Sequence, residues 1–324
     1  MNRVKCLLCT PDDGVMVDVI AAVLSAEGLV PEIVVVADKD DTATIRRELA
    51  DTDIVYPNKA RIDAASIAAA PRLRLIHCGT GYDTVDCAAA AARGITVCNT
   101  GAVMARSTAE HTLYLILALA KNGAAAAQEM RAGLWLRHMG HELHGKTLGL
   151  LGYGNIARLV ATLARAFGMH VVACRRKRGA GSADDVPLLE FPELLDTADI
   201  LSIHMPLIDS GPDRTRGLLG EVELARFGQR GLGWLINTAR GAIIDEAALV
   251  AALRAGVVRK AALDVFANEP LPATHPLRAL DNVVLTPHVA AETGEALRDR
   301  YTLIARNAAR VLRGEEPTCR VTDA

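Results

Sequence analysis

Aromatic residues are scarce, at 3% of 324 residues, and much of the apolar content is alanine. That balance favours closely packed helices over an aromatic-rich binding face. Charge of one sign is lacking as well: 36 Lys plus Arg face 38 Asp plus Glu, for a net charge of −2. Without a basic excess the chain has no broad footprint for nucleic acid or an anionic membrane, so any phosphate must be met locally. Long hydrophobic runs are missing too. The longest stretches, such as Leu113 to Ala120, fall far short of a membrane span. The N-terminal stretch carries Asp12, Asp13 and Asp18 and no signal-peptide core. The expectation is a soluble, cytoplasmic protein with neither nucleic-acid nor membrane partners.

Cysteine is present but unorganised. Seven cysteines, an odd number, are scattered over the chain, which argues against a disulfide framework. Cys6 and Cys9 form a C-x-x-C pair, yet they sit in an apolar run, residues 4–9, that reads as a strand. Strand residues three apart point to opposite faces, so the two thiols cannot converge on a metal. His77, His111, His141 and His144 lack a carboxylate cluster at ligand spacing, and no metal is expected.

What remains is ordinary globular usage, 51% hydrophobic and 23% charged, in a chain long enough for about two domains. Short apolar segments at 4–9, 32–36, 54–56, 73–77 and 95–98 read as strands, separated by alanine-rich helical stretches. The rhythm restarts at 147–151 and continues through 170–173, 200–204, 232–237, 260–263 and 282–285. Such alternation means crossover units and parallel sheets, here in two doubly wound, Rossmann-like α/β domains. Between the two series, Ser107 to Glu110 has the pattern of a capping box that would start a buried helix at Ser107. A last helix is expected over 291–313.

Gly152-Tyr153-Gly154-Asn155-Ile156-Ala157 follows the strand at 147–151 and opens a helix expected from Ile156. This is the G-x-G-x-x-A turn of a dinucleotide fold in its required strand–turn–helix setting. Gly152 permits the turn, Gly154 lets a pyrophosphate approach, and Asn155 and Ile156 open the helix whose N-terminus faces it. The next strand ends in Cys174-Arg175-Arg176-Lys177-Arg178 rather than in the acidic residue that marks NAD. Arg175 and Arg176 there suit a 2′-phosphate, which favours NADP over NAD.

Three strand ends carry the remaining chemistry. Arg240 follows Asn237-Thr238-Ala239, Glu269 follows Asp264, and His288 follows Thr286-Pro287. Residues at the carboxyl edge of an open α/β sheet stand where ligands bind. A histidine titrates near neutrality and can pass a proton, a carboxylate beside it favours the imidazolium, and an arginine can clamp a carboxylate.

Taken with Gly79 to Asp83, Ala109 to His111, Glu142 to Gly149 and His204 to Leu207, these motifs resemble the D-isomer-specific 2-hydroxyacid dehydrogenase family through nearly the whole chain. The likeness is to its glyoxylate/hydroxypyruvate reductase or phosphoglycerate dehydrogenase branches. It implies a flavodoxin-like split substrate domain, residues 1–100 plus 291–324, and a central Rossmann coenzyme domain, residues 101–290. It implies that Arg240 binds the substrate carboxylate and carbonyl, that His288 is the acid/base and that Glu269 is its partner. Backbone amides at Thr80 and Gly81 would cradle the substrate carboxylate. Thr108, Pro206 and Thr238 would line the coenzyme, and Asp264 would orient the nicotinamide. The activity implied is NAD(P)-dependent hydride transfer between a small 2-keto acid and its D-2-hydroxy acid, with glyoxylate or hydroxypyruvate as substrates, in a homodimer. Two alternatives keep the same residues: oxidation of another small anion such as phosphite, or a non-enzymatic dinucleotide-sensing corepressor. Tyr56, Asn58, Lys59 and Met104 are the positions expected to shape substrate choice. The loop at 208–213 is longer than is usual in the family.

Overall fold

The computed structural model describes residues 3–11, 13–175, 181–183, 185–229 and 231–321. The chain divides into two compact units, Met1–Met104 with Glu292–Ala324, and Ala105–Ala291. In the first, strands β1 (Arg3–Leu8), β2 (Val30–Val35), β3 (Ile54–Tyr56), β4 (Leu75–His77) and β5 (Thr96–Cys98) alternate with helices α1 (Met16–Ala26), α2 (Thr42–Leu49), α3 (Ala64–Ala68) and α4 (Cys87–Ala92). All pairings are parallel, in the order β2-β1-β3-β4-β5. This is the flavodoxin-like winding that alternating strands and helices produce.

Aspartates start its helices: Asp41, Asp63 and Asp86 accept the backbone N–H groups of Thr44, Ser66 and Ala89, which would otherwise be orphaned in the first turn. The period of two along β1 sorts its side chains. Val4, Cys6 and Leu8 pack in one core and Leu7 and Cys9 in the other. Cys6 and Cys9 therefore lie on opposite faces, and burial pushes both thiols up to about 12.

The second unit opens with α5 (Ala105–Lys121) and α6 (Gly123–Arg131) and continues with β6 (Thr147–Leu151), α7 (Asn155–Ala166), β7 (His170–Cys174), β8 (Gly181–Ala183), β9 (Val186–Leu188), α8 (Phe191–Thr197) and β10 (Ile200–Ile203). It ends with α9 (Glu221–Gly228), β11 (Trp234–Asn237), α10 (Glu246–Arg254), β12 (Lys260–Leu263) and β13 (Val283–Leu285). The sheet order is β13-β12-β11-β10-β6-β7-β9-β8, and all pairings are parallel except that of β8 with β9. Winding reverses between β6 and β10, which opens a ligand crevice at their carboxyl ends. Leu201, Leu235 and Leu263 pack into one face of this sheet, and Leu148, Leu150 and Ile236 into the other. The chain then returns to the first unit as α11 (Gly294–Arg313), started by Thr293 and ended by left-handed Gly314.

Several expectations are corrected. Helix α5 starts at Ala105, so Ser107 lies inside it and is not its cap; the Ser107 hydroxyl is drawn instead to the carbonyl of Ala290, 3.1 Å away. Helix α7 starts at Asn155, one residue earlier than expected. Helix α6 and the short β8–β9 hairpin were not foreseen. Of the positions expected to shape substrate choice, Tyr56 and Met104 are buried, 0% and 2% exposed. Among the described residues, no helix is long and apolar enough to cross a membrane.

Candidate active site

Strands β11, β12 and β13 pair in a register that sets Asn237 beside Leu263 and Leu263 beside Leu285. The segments that follow therefore leave one edge of the sheet together. They carry Arg240, Asp264 with Glu269, and His288.

The loop after β11 is shaped by Asn237, fully buried, whose side chain accepts from the Ala239 N–H at 3.0 Å and donates to the Arg240 carbonyl at 2.9 Å. Arg240 itself is half-buried, and its Nη1 donates to the Ala239 carbonyl at 2.8 Å. Thr238 is buried, and its hydroxyl lies 3.0 Å from that of Thr112 on α5. Since the Thr112 hydrogen goes to the Thr108 carbonyl at 2.8 Å, Thr238 is the donor in that contact. Thr108 is likewise buried.

Glu269 Oε2 stands 2.7 Å from His288 Nδ1, and Oε1 accepts the Phe266 N–H at 3.1 Å. One carboxylate thus fixes the ring and its own loop. A carboxylate can only accept, so Nδ1 carries the hydrogen and Nε2 is the ring nitrogen on the side away from Glu269. The His288 side chain is 30% exposed, within reach of a small solute. Its backbone has φ of 57°, a left-handed conformation rarely taken by a residue with a β-carbon.

Asp264 is fully buried and accepts from Thr286 Oγ1 at 2.6 Å and from the Val289 and Ala290 N–H groups, both at 2.9 Å. Burial pushes its carboxyl upward, but the nearby His111 together with hydrogen bonds from Thr286, Val289 and Ala290 outweighs that and holds it below the ordinary range. As a buried anion it acts first on the turn that presents His288. Ser107 and His111 are the parts of this arrangement that the strand-end pattern did not reveal.

At the crevice between β6 and β10, Gly152 has φ of 99°, and a β-carbon there would lie 2.5 Å from the His204 carbonyl oxygen. Only glycine fits. Around Gly154 nothing lies within 4 Å of a β-carbon position, and this residue caps α7 without any side-chain hydrogen bond. Asn155 is exposed and Ile156 half-buried at the start of α7. A helix N-terminus left uncapped beside open space fits the pyrophosphate of a dinucleotide. Pro206, exposed just past β10, accepts from Thr215 Oγ1 at 2.7 Å. Arg175 follows β7, whose last residue Cys174 accepts the Gly152 N–H at 2.9 Å, so the arginine stands at the same edge as the glycine turn. Its guanidinium carbon is 5.7 Å from the centre of the Tyr153 ring. Arg176 lies outside the described residues. Among the described residues no group of His, Cys, Asp and Glu comes together to hold a metal ion.

Thr80 and Gly81 belong to the first unit, in a loop where Thr80 Oγ1 lies 3.2 Å from Thr100 Oγ1 and the Thr80 carbonyl accepts from Asn99 at 3.2 Å. In that unit, too, Asn58 donates to Thr10 Oγ1 at 3.0 Å.

Comparison with known proteins points to one family. Residues 113–290 match the family model for the D-isomer specific 2-hydroxyacid dehydrogenase, NAD binding domain. The chain is 42% identical to a glyoxylate reductase of Aeropyrum pernix over 79% of its own length and 78% of that protein's. It is 40% identical to a D-3-phosphoglycerate dehydrogenase of Mycobacterium leprae over 78% of its length, but this spans only 48% of that longer protein. Its fold superposes with a TM-score of 0.85 on an NADPH-dependent glyoxylate/hydroxypyruvate reductase of Sinorhizobium meliloti solved with NADP and malonate, at 28% identity and covering 99% and 97% of the two chains. The chain belongs to the D-isomer-specific 2-hydroxyacid dehydrogenase family and is an NAD(P)-dependent oxidoreductase of that family.

Proposed function

We propose that the protein reduces a small 2-keto acid, glyoxylate or hydroxypyruvate, to the corresponding D-2-hydroxy acid. The observation that carries this reading is the Glu269–His288 pair, 2.7 Å apart, at the sheet edge that also bears Arg240. The coenzyme, when bound, supplies the hydride that adds to the carbonyl carbon. The protein's own residues supply the rest. Arg240 holds the substrate carboxylate and polarises the carbonyl as negative charge develops on its oxygen. His288 delivers a proton from Nε2 to that oxygen, so C–H and O–H bonds form as the carbonyl π bond is lost. Glu269 keeps the ring oriented and balances the imidazolium. The backbone amides of Thr80 and Gly81 hold the carboxylate in the sense the family resemblance implies. Thr108, Gly152, Gly154, Asn155, Ile156, Pro206 and Thr238 contact the coenzyme, and Asp264 orients its nicotinamide.

NADP is the preferred coenzyme in this reading, with Arg175 on the 2′-phosphate. The support is its place at the end of β7, where a dinucleotide fold meets the adenosine ribose. We further propose a cytoplasmic homodimer. All seven cysteines are free thiols, as a reducing compartment keeps them. Segment 123–141 exposes Trp135 at 80% and Met139 at 92%, large apolar side chains that a second copy would cover.

The deciding experiment compares initial rates of NADPH and NADH oxidation with glyoxylate, hydroxypyruvate, pyruvate and a bulkier keto acid. NADPH consumption with the small acids bears the proposal out. Turnover with NADH alone keeps the reaction and overturns the coenzyme preference. Silence with both coenzymes overturns the reductase and transfers weight to another anion such as phosphite, or to a dinucleotide sensor.

A further inference from the structure

The turn that carries His288 is gripped on both sides of a single residue, Ala290. Ser107 Oγ, on the first turn of α5, donates to its carbonyl at 3.1 Å, while Asp264 accepts its N–H at 2.9 Å. One helical turn after Ser107, His111 reaches the other end of the same segment. Its Nε2 lies 3.2 Å from Thr286 Oγ1 and 3.5 Å from Asp264 Oδ1. The Thr286 hydroxyl has one hydrogen, and that hydrogen goes to Asp264 at 2.6 Å. His111 Nε2 must therefore carry a hydrogen and be the donor towards Thr286.

Such support has a reason. His288 sits in a left-handed conformation, φ 57°, between Thr286 and Val289. A residue with a β-carbon keeps that conformation only where its neighbours are held. Here Thr286, Val289 and Ala290 all bond to one buried carboxylate, and α5 braces both ends of the segment. Ser107 and His111 are 181 and 177 positions before His288 in sequence and touch neither Glu269 nor the imidazole through any of these bonds.

We infer that Ser107 and His111 are positioning residues for His288: from α5 they set the backbone of the turn through Ala290 and Thr286, and so keep the imidazole in the grip of Glu269. The inference rests on the reading of His288 as the acid/base. It deepens that reading by moving part of the catalytic geometry onto a helix that carries no reacting group.

The test uses the full chain labelled with 13C at histidine Cε1 and free of coenzyme, with the His288 resonance assigned by its loss in His288→Gln. Ser107→Ala, His111→Leu and His111→Gln are compared with the parent for that resonance, for kcat with NADPH and glyoxylate, for coenzyme KM and for thermal midpoint. In His111→Leu and Ser107→Ala the His288 signal should shift or broaden. Their kcat should fall about 10- to 100-fold, the scale of an ångström-level misplacement, with coenzyme KM nearly unchanged. His111→Gln restores a donor near the Nε2 position and should recover most of kcat. An unmoved His288 signal with unchanged kcat in both variants, whatever their thermal midpoints, overturns the inference. Glutamine performing no better than leucine overturns the donor role of His111. If His111→Leu does not fold, Ser107→Ala decides. If the parent turns over no keto acid, the functional reading has failed, and the resonance alone decides the positioning.

Discussion

A β-carbon on Gly241 would stand 1.9 Å from the carbonyl carbon of Phe266. The loop bearing Arg240 thus lies backbone against backbone on the loop bearing Glu269, and glycine is what allows the approach. Gly241→Ala must push the two loops apart. Overpacking of this kind costs about 1–3 kcal/mol. The expected outcome is a lower urea midpoint together with a kcat/KM loss larger than that of an alanine placed at the open position Gly294. Parent-like stability and activity would show that the loops part without consequence.

His288→Ala removes the proton donor and leaves the glycine turn untouched. Turnover should fall about 10²- to 10⁴-fold, the usual worth of a positioned acid/base. Quenching of protein fluorescence by NADPH should still report binding near the parent affinity. Glu269→Gln keeps the shape but removes the charge beside Nδ1, and its loss should be intermediate. A His288→Ala enzyme with parent turnover would eliminate the proposed acid/base.

Arg175→Asp places an anion where the chain now has a guanidinium at the end of β7. A charge-assisted hydrogen bond contributes about 1.5–3 kcal/mol, so losing one and adding repulsion should move the NADPH/NADH ratio of kcat/KM by at least about tenfold towards NADH. An unchanged ratio would make Arg175 a solvated residue with no part in coenzyme choice.

The same contrast explains what could be read from the sequence. Strands and crossovers were legible because β-branched runs and alanine-rich stretches alternate. Arg240, Glu269 and His288 were legible because each follows a strand, and strands end at the ligand edge. The β8–β9 hairpin was not, since Gly181-Ser182-Ala183 has no apolar alternation. Helix α6 has no buried residue among Gly123–Arg131 and therefore no periodic apolar face to find. Ser107 matched a capping pattern, but its hydroxyl serves Ala290, 183 residues away, a pairing that exists only once the chain is folded. In the sequence His111 is set aside as a metal ligand and has no other role, yet it supports a carboxylate network through a neutral threonine.

His77 gives the first unit a pH dependence whose sign can be worked out. The ring is fully buried in β4, its Nδ1 facing the Cys78 carbonyl at 3.1 Å and its Nε2 facing Asn307 Nδ2 at 3.2 Å. The amide of Asn307 can only donate there, so Nε2 is an acceptor and the ring is neutral. Burial pushes its pKa down from 6.5 to about 4. Above 6.5 neither the folded nor the unfolded chain protonates this residue, and it costs nothing. As the pH falls through 6.5 the unfolded chain takes up a proton that the fold refuses, so stability is lost progressively and the penalty levels off below pH 4, at about 3 kcal/mol. By pH 5 the cost should already be about 2 kcal/mol. His77→Asn retains a donor for the Cys78 carbonyl but cannot titrate. It should be the less stable protein at pH 7.5, yet lose about 2 kcal/mol less than the parent on going to pH 5 in the urea transition of the first unit. Parallel pH dependences for the two proteins would mean that His77 is protonated within the fold.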